Sequence, residues 1–200
     1  MYLNKVRMAW SAARNPYELH RVIWRLFPGH EQDPRGFLFR VEAEQRGHGR
    51  TLLVQSVWQP EAVPGAIDVL AARTYVPSLR LGQRLRFRLV GNPVKTIRDG
   101  TGRQNAKGEI KPCRVPLIRE EQQLGWLNRK LHGAAHLEMA EICAVRPLYF
   151  RKRGKAGKVV MVTFDGVLHV HDPGRLWQCM QDGIGPAKGF GCGLLSIATA

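Results

Sequence analysis

Apolar and polar positions along the chain alternate between two periods, and the alternation predicts the elements. Residues 1–9 read as a strand, with Tyr2, Leu3, Val6 and Met8 as its apolar members. Asn15-Pro16-Tyr17-Glu18 opens a helix. Asn15 is placed to cap it, Pro16 fits its first turn, Glu18 sits where a capping-box carboxylate belongs, and Pro28-Gly29 stops it. Residues 37–44 and 51–58 read as strands around the Gly47-His48-Gly49 turn, and 65–72 as a short helix. Over 83–90, Leu85, Phe87 and Leu89 alternate with Arg84, Arg86 and Arg88, the pattern of a half-buried strand with a basic outer face.

The order then repeats. A short strand is expected at 92–97, and a polar loop, read as mobile, at 98–111 with Gly100, Gly102 and Gly108. A helix is expected at 117–131, with Ile118, Leu124, Leu127 and Leu131 at core spacing. Strands follow at 137–150 and 158–170, joined by a basic turn. Asp172-Pro173 starts a last helix that Gly183 ends, and 194–198 closes as a strand. The chain is thus expected to be α+β, two tandem ferredoxin-like (RRM-like) βαββαβ domains at 1–91 and 92–200.

Composition sharpens this reading. The 200 residues carry 31 Lys+Arg against 16 Asp+Glu, a formal charge of +15. A folded chain this basic repels itself, so a polyanionic partner is expected, with nucleic acid ahead of an acidic membrane surface. No basic amphipathic helix or lipidation signal supports the membrane alternative, and no apolar run approaches the roughly 20 residues of a spanning helix. The N-terminus lacks the apolar core of a secretory signal. Cys113, Cys143, Cys179 and Cys192 show no metal or redox spacing and read as reduced thiols, consistent with a cytoplasmic setting. His132 with His136, and His169 with His171, lack a third ligand, so neither metal nor cofactor is expected.

Three segments carry candidate chemistry. At roughly 100° per residue, Leu19, Val22, Ile23 and Leu26 form one stripe of the first helix, and Tyr17, His20, Arg21 and Trp24 the opposite one. An imidazole there titrates near neutrality and can move a proton at a ribose 2′-hydroxyl or a leaving 5′-oxygen, with Arg21 offsetting phosphate charge and Tyr17 donating a hydrogen bond. Helix geometry alone favours a solvated surface histidine. The segment 183–193 holds five glycines in eleven residues with Lys188 among them. It follows a helix and precedes a strand, the reverse of a dinucleotide fingerprint, and lacks the P-loop Gly-Lys-Ser/Thr, so phosphodiester backbone is its expected ligand. Arg151, Lys152, Arg153, Lys155 and Lys158 put five cations in eight residues, suited to the phosphates of a duplex.

These pieces resemble a known family over essentially the whole chain. The matches are Met1-Tyr2-Leu3-x-Lys5-Val6, Tyr17-x-Leu19-His20 with Leu26-Phe27-Pro28, Asn92-Pro93-Val94-Lys95-Thr96 and Cys113-Arg114-Val115-Pro116-Leu117-Ile118. The tail Gly183-Ile184-Gly185-Pro186-Ala187-Lys188-x-x-Gly191-Cys192-Gly193-Leu194-Leu195-Ser196 is the most specific. The chain is similar to the CRISPR repeat-processing endoribonucleases of subtype I-E, subunits of the Cascade surveillance complex. The resemblance implies metal-independent cleavage at the 3′ base of the repeat hairpin by 2′-hydroxyl attack, leaving a 2′,3′-cyclic phosphate and a 5′-hydroxyl. It implies that His20 is catalytic with Tyr17 beside it. It also makes the basic hairpin, Arg21, Gly185, Lys188, Gly189 and Gly191 RNA-binding elements. The expected partners are the repeat hairpin RNA, its crRNA product and other Cascade subunits, in a prokaryotic cytoplasm, with the isolated protein monomeric. The alternatives are a non-catalytic hairpin-binding subunit and a basic protein that binds DNA and RNA indiscriminately. Whether His20 acts as base or acid stays open at this stage.

Overall fold

The computed structural model describes residues 1–98, 102, 104, 108–109 and 112–200. Most of the polar loop expected at 98–111 lies outside the described residues.

The first half contains β1 (Tyr2–Ala9), α1 (Leu19–Trp24), β2 (Phe37–Gln45), β3 (Gly49–Ser56) and β4 (Ile67–Thr74). Its sheet runs β2-β3-β1-β4, antiparallel throughout. This is the fourth-first-third-second order of a ferredoxin-like unit, with a connection of loop and turn where the second helix would stand. The short helix expected over 65–72 is not formed, and β4 occupies this stretch. Ala-rich local propensity is overridden by pairing with β1, which sets Ile67 opposite Met8 and Val69 opposite Val6. Arg7 closes the pair from outside with a 2.9 Å bond to Asp68.

The second sheet is built from β5 (Arg84–Gly91), β8 (Ala135–Lys152), β9 (Lys155–Val170) and β10 (Leu195–Thr199), ordered β10-β5-β9-β8. With α2 (Glu120–Leu131) and α3 (Pro173–Asp182) it repeats the same topology. The strand over 83–90, expected to close the first half, therefore opens the second one. Strand pairing is a non-local choice that alternation cannot report, and we propose on this pairing that the halves divide between β4 and β5. The expected 92–97 strand belongs to a separate ribbon, β6 (Val94–Arg98) with β7 (Pro112–Pro116). Ile118 precedes α2 and is exposed, whereas Leu127 and Leu131 are fully buried.

Each half has its own apolar core. In the first, Leu19, Val22, Ile23 and Leu26 pack with Val6, Met8 and Phe39, as the helical stripe predicts. In the second, Leu85, Phe87 and Leu89 face α2 and α3 residues such as Leu127, Leu131, Leu176 and Met180. Burial of each such side chain contributes roughly 1.5–3 kcal/mol. The outer face of β5 is less cationic than its arginines suggest. Arg84 bonds both oxygens of Glu138 at 2.7 Å, and Arg88 donates to Asp165. The Arg84 guanidinium, helped by His169, holds the Glu138 carboxyl down at about 2.

The halves meet along β2 and the end of β3. Arg40 Nη1 donates to Ser196 Oγ at 2.9 Å, and Gln55 Nε2 to the Met180 carbonyl at 2.6 Å. The glycine-rich segment runs along this seam. Gly183 leaves no room for a Cβ beside Leu38, and Gly191, at φ +93°, lies against Phe39. Gly185, at φ +78°, would drive a Cβ to 2.6 Å from Trp126.

Candidate active site

The first helix begins as a 3-10 turn, Pro16–Glu18, and continues as α1. Asn15 caps it by accepting from the Tyr17 N–H at 3.2 Å, as its position before Pro16 predicts. Because Leu19 and Ile23 anchor the opposite stripe in the core, His20 is held half-buried at the surface, with Arg21 exposed beside it.

His20 sits at the seam. The Tyr17 ring meets it edge-on with centroids 6.0 Å apart. From the other half, Gly189 faces the imidazole, and a Cβ there would stand 3.8 Å from His20 Cγ and Nδ1, so the glycine leaves the space beside the ring open. Beyond it opens a cleft of about 670 Å³ lined by His20, Trp24, Arg35, Asp182 and Lys188 among others. Burial is the main influence that lowers the His20 pKa below its ordinary 6.5. The Arg35 and Arg21 charges push the same way, and a backbone hydrogen bond with Tyr17 opposes them in part. Lys188 donates to the Asp182 carbonyl, and burial plus the Arg35 charge lower its pKa.

The basic segment is tied to the same place. Arg153 (φ 48°) and Gly154 (φ +77°) form a two-residue turn, so the cations expected in a loop ride mostly on the ends of β8 and β9. Asn15 grips this hairpin next to its turn, donating from Nδ2 to the Arg151 carbonyl at 2.6 Å and accepting from the Arg151 N–H at 3.2 Å. Tyr17 stacks on Phe150 at 5.9 Å, Phe150 meets Phe190 at 4.6 Å, and Lys152 Nζ lies 5.2 Å over the Tyr17 ring.

Of the residues singled out from sequence, Tyr17, His20, Arg21, Lys188 and Gly189 gather around one point, and Arg151 and Lys152 join them through Asn15 and Tyr17. Arg153 and Lys155 sit at the hairpin turn, and Lys158, opposite Tyr149, places its Nζ 5.6 Å over that ring. At Gly185 and Gly191 the space a side chain would need is taken by Trp126 and Phe39. Sequence reasoning missed Arg35, Phe150 and Phe190, and saw Asn15 only as a cap. Arg35 stands in a polar loop without periodicity, and the two phenylalanines come from distant segments that only the fold unites. Among the described residues, no three His, Cys, Asp or Glu side chains group as a metal site. His169 instead bonds Glu138 at 2.7 Å.

An imidazole lining a cleft with Arg35 and Lys188, next to a cationic hairpin, is suited to acting on a phosphodiester, and comparison with known proteins points the same way. The chain is 45% identical, over 99% of both sequences, to the protein named CRISPR system Cascade subunit CasE of Escherichia coli K12. It matches the crystal structure of Cas6e from E. coli K-12 with a TM-score of 0.87 and 44% identity, over the full length of both chains. It is 32% identical to the CRISPR-associated endoribonuclease Cse3 of Thermus thermophilus, over 99% of this chain and 100% of the relative. A structure of that protein bound to an RNA representing a pre-cleavage complex matches with a TM-score of 0.79, 32% identity and 98% of each chain. The sequence family described as CRISPR associated protein matches residues 1–199, and the chain belongs to it.

Proposed function

We propose that the protein is the endoribonuclease that processes CRISPR precursor RNA and remains with the product as a Cascade subunit, in a prokaryotic cytoplasm. It belongs with relatives bearing those names, and its charge and hairpin suit RNA. The observation that carries the finer chemistry is the half-buried His20 at the seam, facing Gly189 and lining one cleft with Lys188, with Arg21 beside it on the helix.

In this reading the hairpin stem lies along the cationic β8–β9 turn, which brings the phosphate at its 3′ base to His20. The imidazole accepts the proton of the 2′-hydroxyl just upstream. The 2′-oxygen forms a bond to phosphorus while the bond to the 5′-oxygen breaks; that oxygen takes a proton from solvent water to leave as a 5′-hydroxyl, and the proton held by His20 passes back to solvent. The other product end is a 2′,3′-cyclic phosphate. Lys188 and Arg21 stabilise the added charge on the phosphorane. In this reading the chain, the RNA and water supply every group the route uses, and it calls for no metal ion.

The lowered His20 pKa favours the base assignment, because the free protein then holds the imidazole neutral at neutral pH. A base works only unprotonated. The kcat/KM for repeat RNA is therefore expected to be low in acid, to rise through a pKa below 6.5, and to be level by neutrality. A limb that instead falls with pH through this range, and is lost in His20→Ala, would make His20 the acid.

A further inference from the structure

The cleft at His20 does not end at Arg35. A second hollow adjoins it, and both are lined by Arg35, Phe37, Leu38, Gln181 and Asp182, so the two form one continuous groove. Its near end has the His20 imidazole, the half-buried Trp24 indole and the Arg35 guanidinium. Its far end is lined by neutral hydrogen-bonding groups, Gln55, Ser56 and Gln178. Phe37 and Leu38 are buried beneath it. Gln55 is itself 4% exposed. Its Nε2 is used on the Met180 carbonyl, while its Oε1 has no partner among the described residues.

The groove and the basic hairpin lie on opposite sides of His20. Tyr17 connects the imidazole to Phe150 and Lys152 on one side, and Trp24, one helical turn on, leads into the groove on the other. RNA cut at His20 must therefore pass from one to the other. The two sides differ in charge as the two products would require. Five cations on the hairpin suit a stem that is retained. The groove offers Arg35 and Lys188 against Asp182, then neutral amides, which suits a strand that must leave.

We propose that this groove seats the unpaired RNA strand on the 3′ side of the scissile phosphate, with Arg35 on its phosphate and Trp24 against its first base. Arg35 has no carboxylate partner among the described residues, and burial alone perturbs it, so its charge is available to a phosphate. Trp24 meets Phe37 edge-on at 5.1 Å and Trp58 at 6.0 Å, and the part of the indole that lines the groove is left for a base to pack on; amides such as Gln181 and Gln178 present both donor and acceptor to a base edge. The assignment rests on the endoribonuclease reading above and adds the seat of the leaving strand to it.

The test uses the full protein with repeat hairpins carrying either a single-nucleotide or an extended flank beyond the scissile phosphate, under subsaturating single-turnover conditions. The extended flank is expected to raise the cleavage rate about tenfold, the gain of one good stacking and phosphate contact. Arg35→Gln and Trp24→Leu should erase most of that gain. A hairpin RNA ending at the cleavage position should bind all three proteins with equal affinity. Arg35 lies on an exposed loop, so R35Q tests the groove even if the tryptophan variant folds poorly. Cleavage with no dependence on flank, or a dependence that survives R35Q, overturns the groove assignment alone. If no RNA is cut by the unsubstituted protein, the endoribonuclease reading fails and this inference fails with it.

Discussion

His20→Ala is expected to lower single-turnover cleavage of repeat RNA by about 10²–10⁴, while the affinity for the hairpin changes by less than about threefold. The rate loss corresponds to about 3–5 kcal/mol of barrier, the usual contribution of a well-placed acid or base. Affinity should hold because the imidazole is neutral in the free protein and is not one of the charges that attract phosphate. The substitution also spares the core, since Leu19, Val22 and Ile23 anchor the helix from its other side. Gel-resolved cleavage and filter binding on one preparation separate the two quantities. Unchanged turnover would show that His20 is a surface histidine, and binding without any product would restore the hairpin-binding subunit as the better account.

The second large effect concerns binding. Replacing Arg151, Arg153, Lys155 and Lys158 together by Gln is expected to weaken hairpin affinity by about 10²–10³ near physiological salt. If each cation meets a phosphate, the slope of log affinity against log salt should flatten by about 0.7–0.9 for each phosphate that is no longer neutralised. Lys152 is left in place because it lies over the Tyr17 ring. The hold of Asn15 on this hairpin should survive, since both of its bonds go to the Arg151 backbone. At saturating RNA the cleavage step should then remain close to normal. A salt titration with an unaltered slope would place the stem elsewhere on the molecule.

The parts of the fold legible in the sequence were those set by local period. The Leu19, Val22, Ile23, Leu26 stripe separated the buried face of α1 from the face carrying His20, and the Leu85, Phe87, Leu89 alternation gave the pleat of β5. What the sequence hid was pairing between distant segments. β5 joins β9 and β10 instead of the first sheet, and β4 forms only because β1 offers it an edge. The site divides in the same way. The glycine-rich tail stands out by composition, whereas the helical face only exposes Tyr17 and His20, and it is the family resemblance that singles them out. Arg35, Phe150 and Phe190 carry no pattern of their own, and become part of the site where the two halves meet. The arginines of β5 show the reverse case. They read as a basic face, yet Arg84 and Arg88 are engaged by Glu138 and Asp165. The sequence therefore reported the size of the positive excess better than its distribution.

The central claim is that a ribose hydroxyl of the substrate, activated by His20, is the nucleophile. The most direct measurement replaces that one 2′-hydroxyl by hydrogen in an otherwise intact repeat RNA and follows cleavage in EDTA. The all-ribose RNA should be cut to a 2′,3′-cyclic phosphate and a 5′-hydroxyl, while the substituted RNA binds equally well and stays whole. Efficient cutting of the 2′-deoxy RNA at the same linkage, or loss of all cleavage when EDTA is added, would contradict the account.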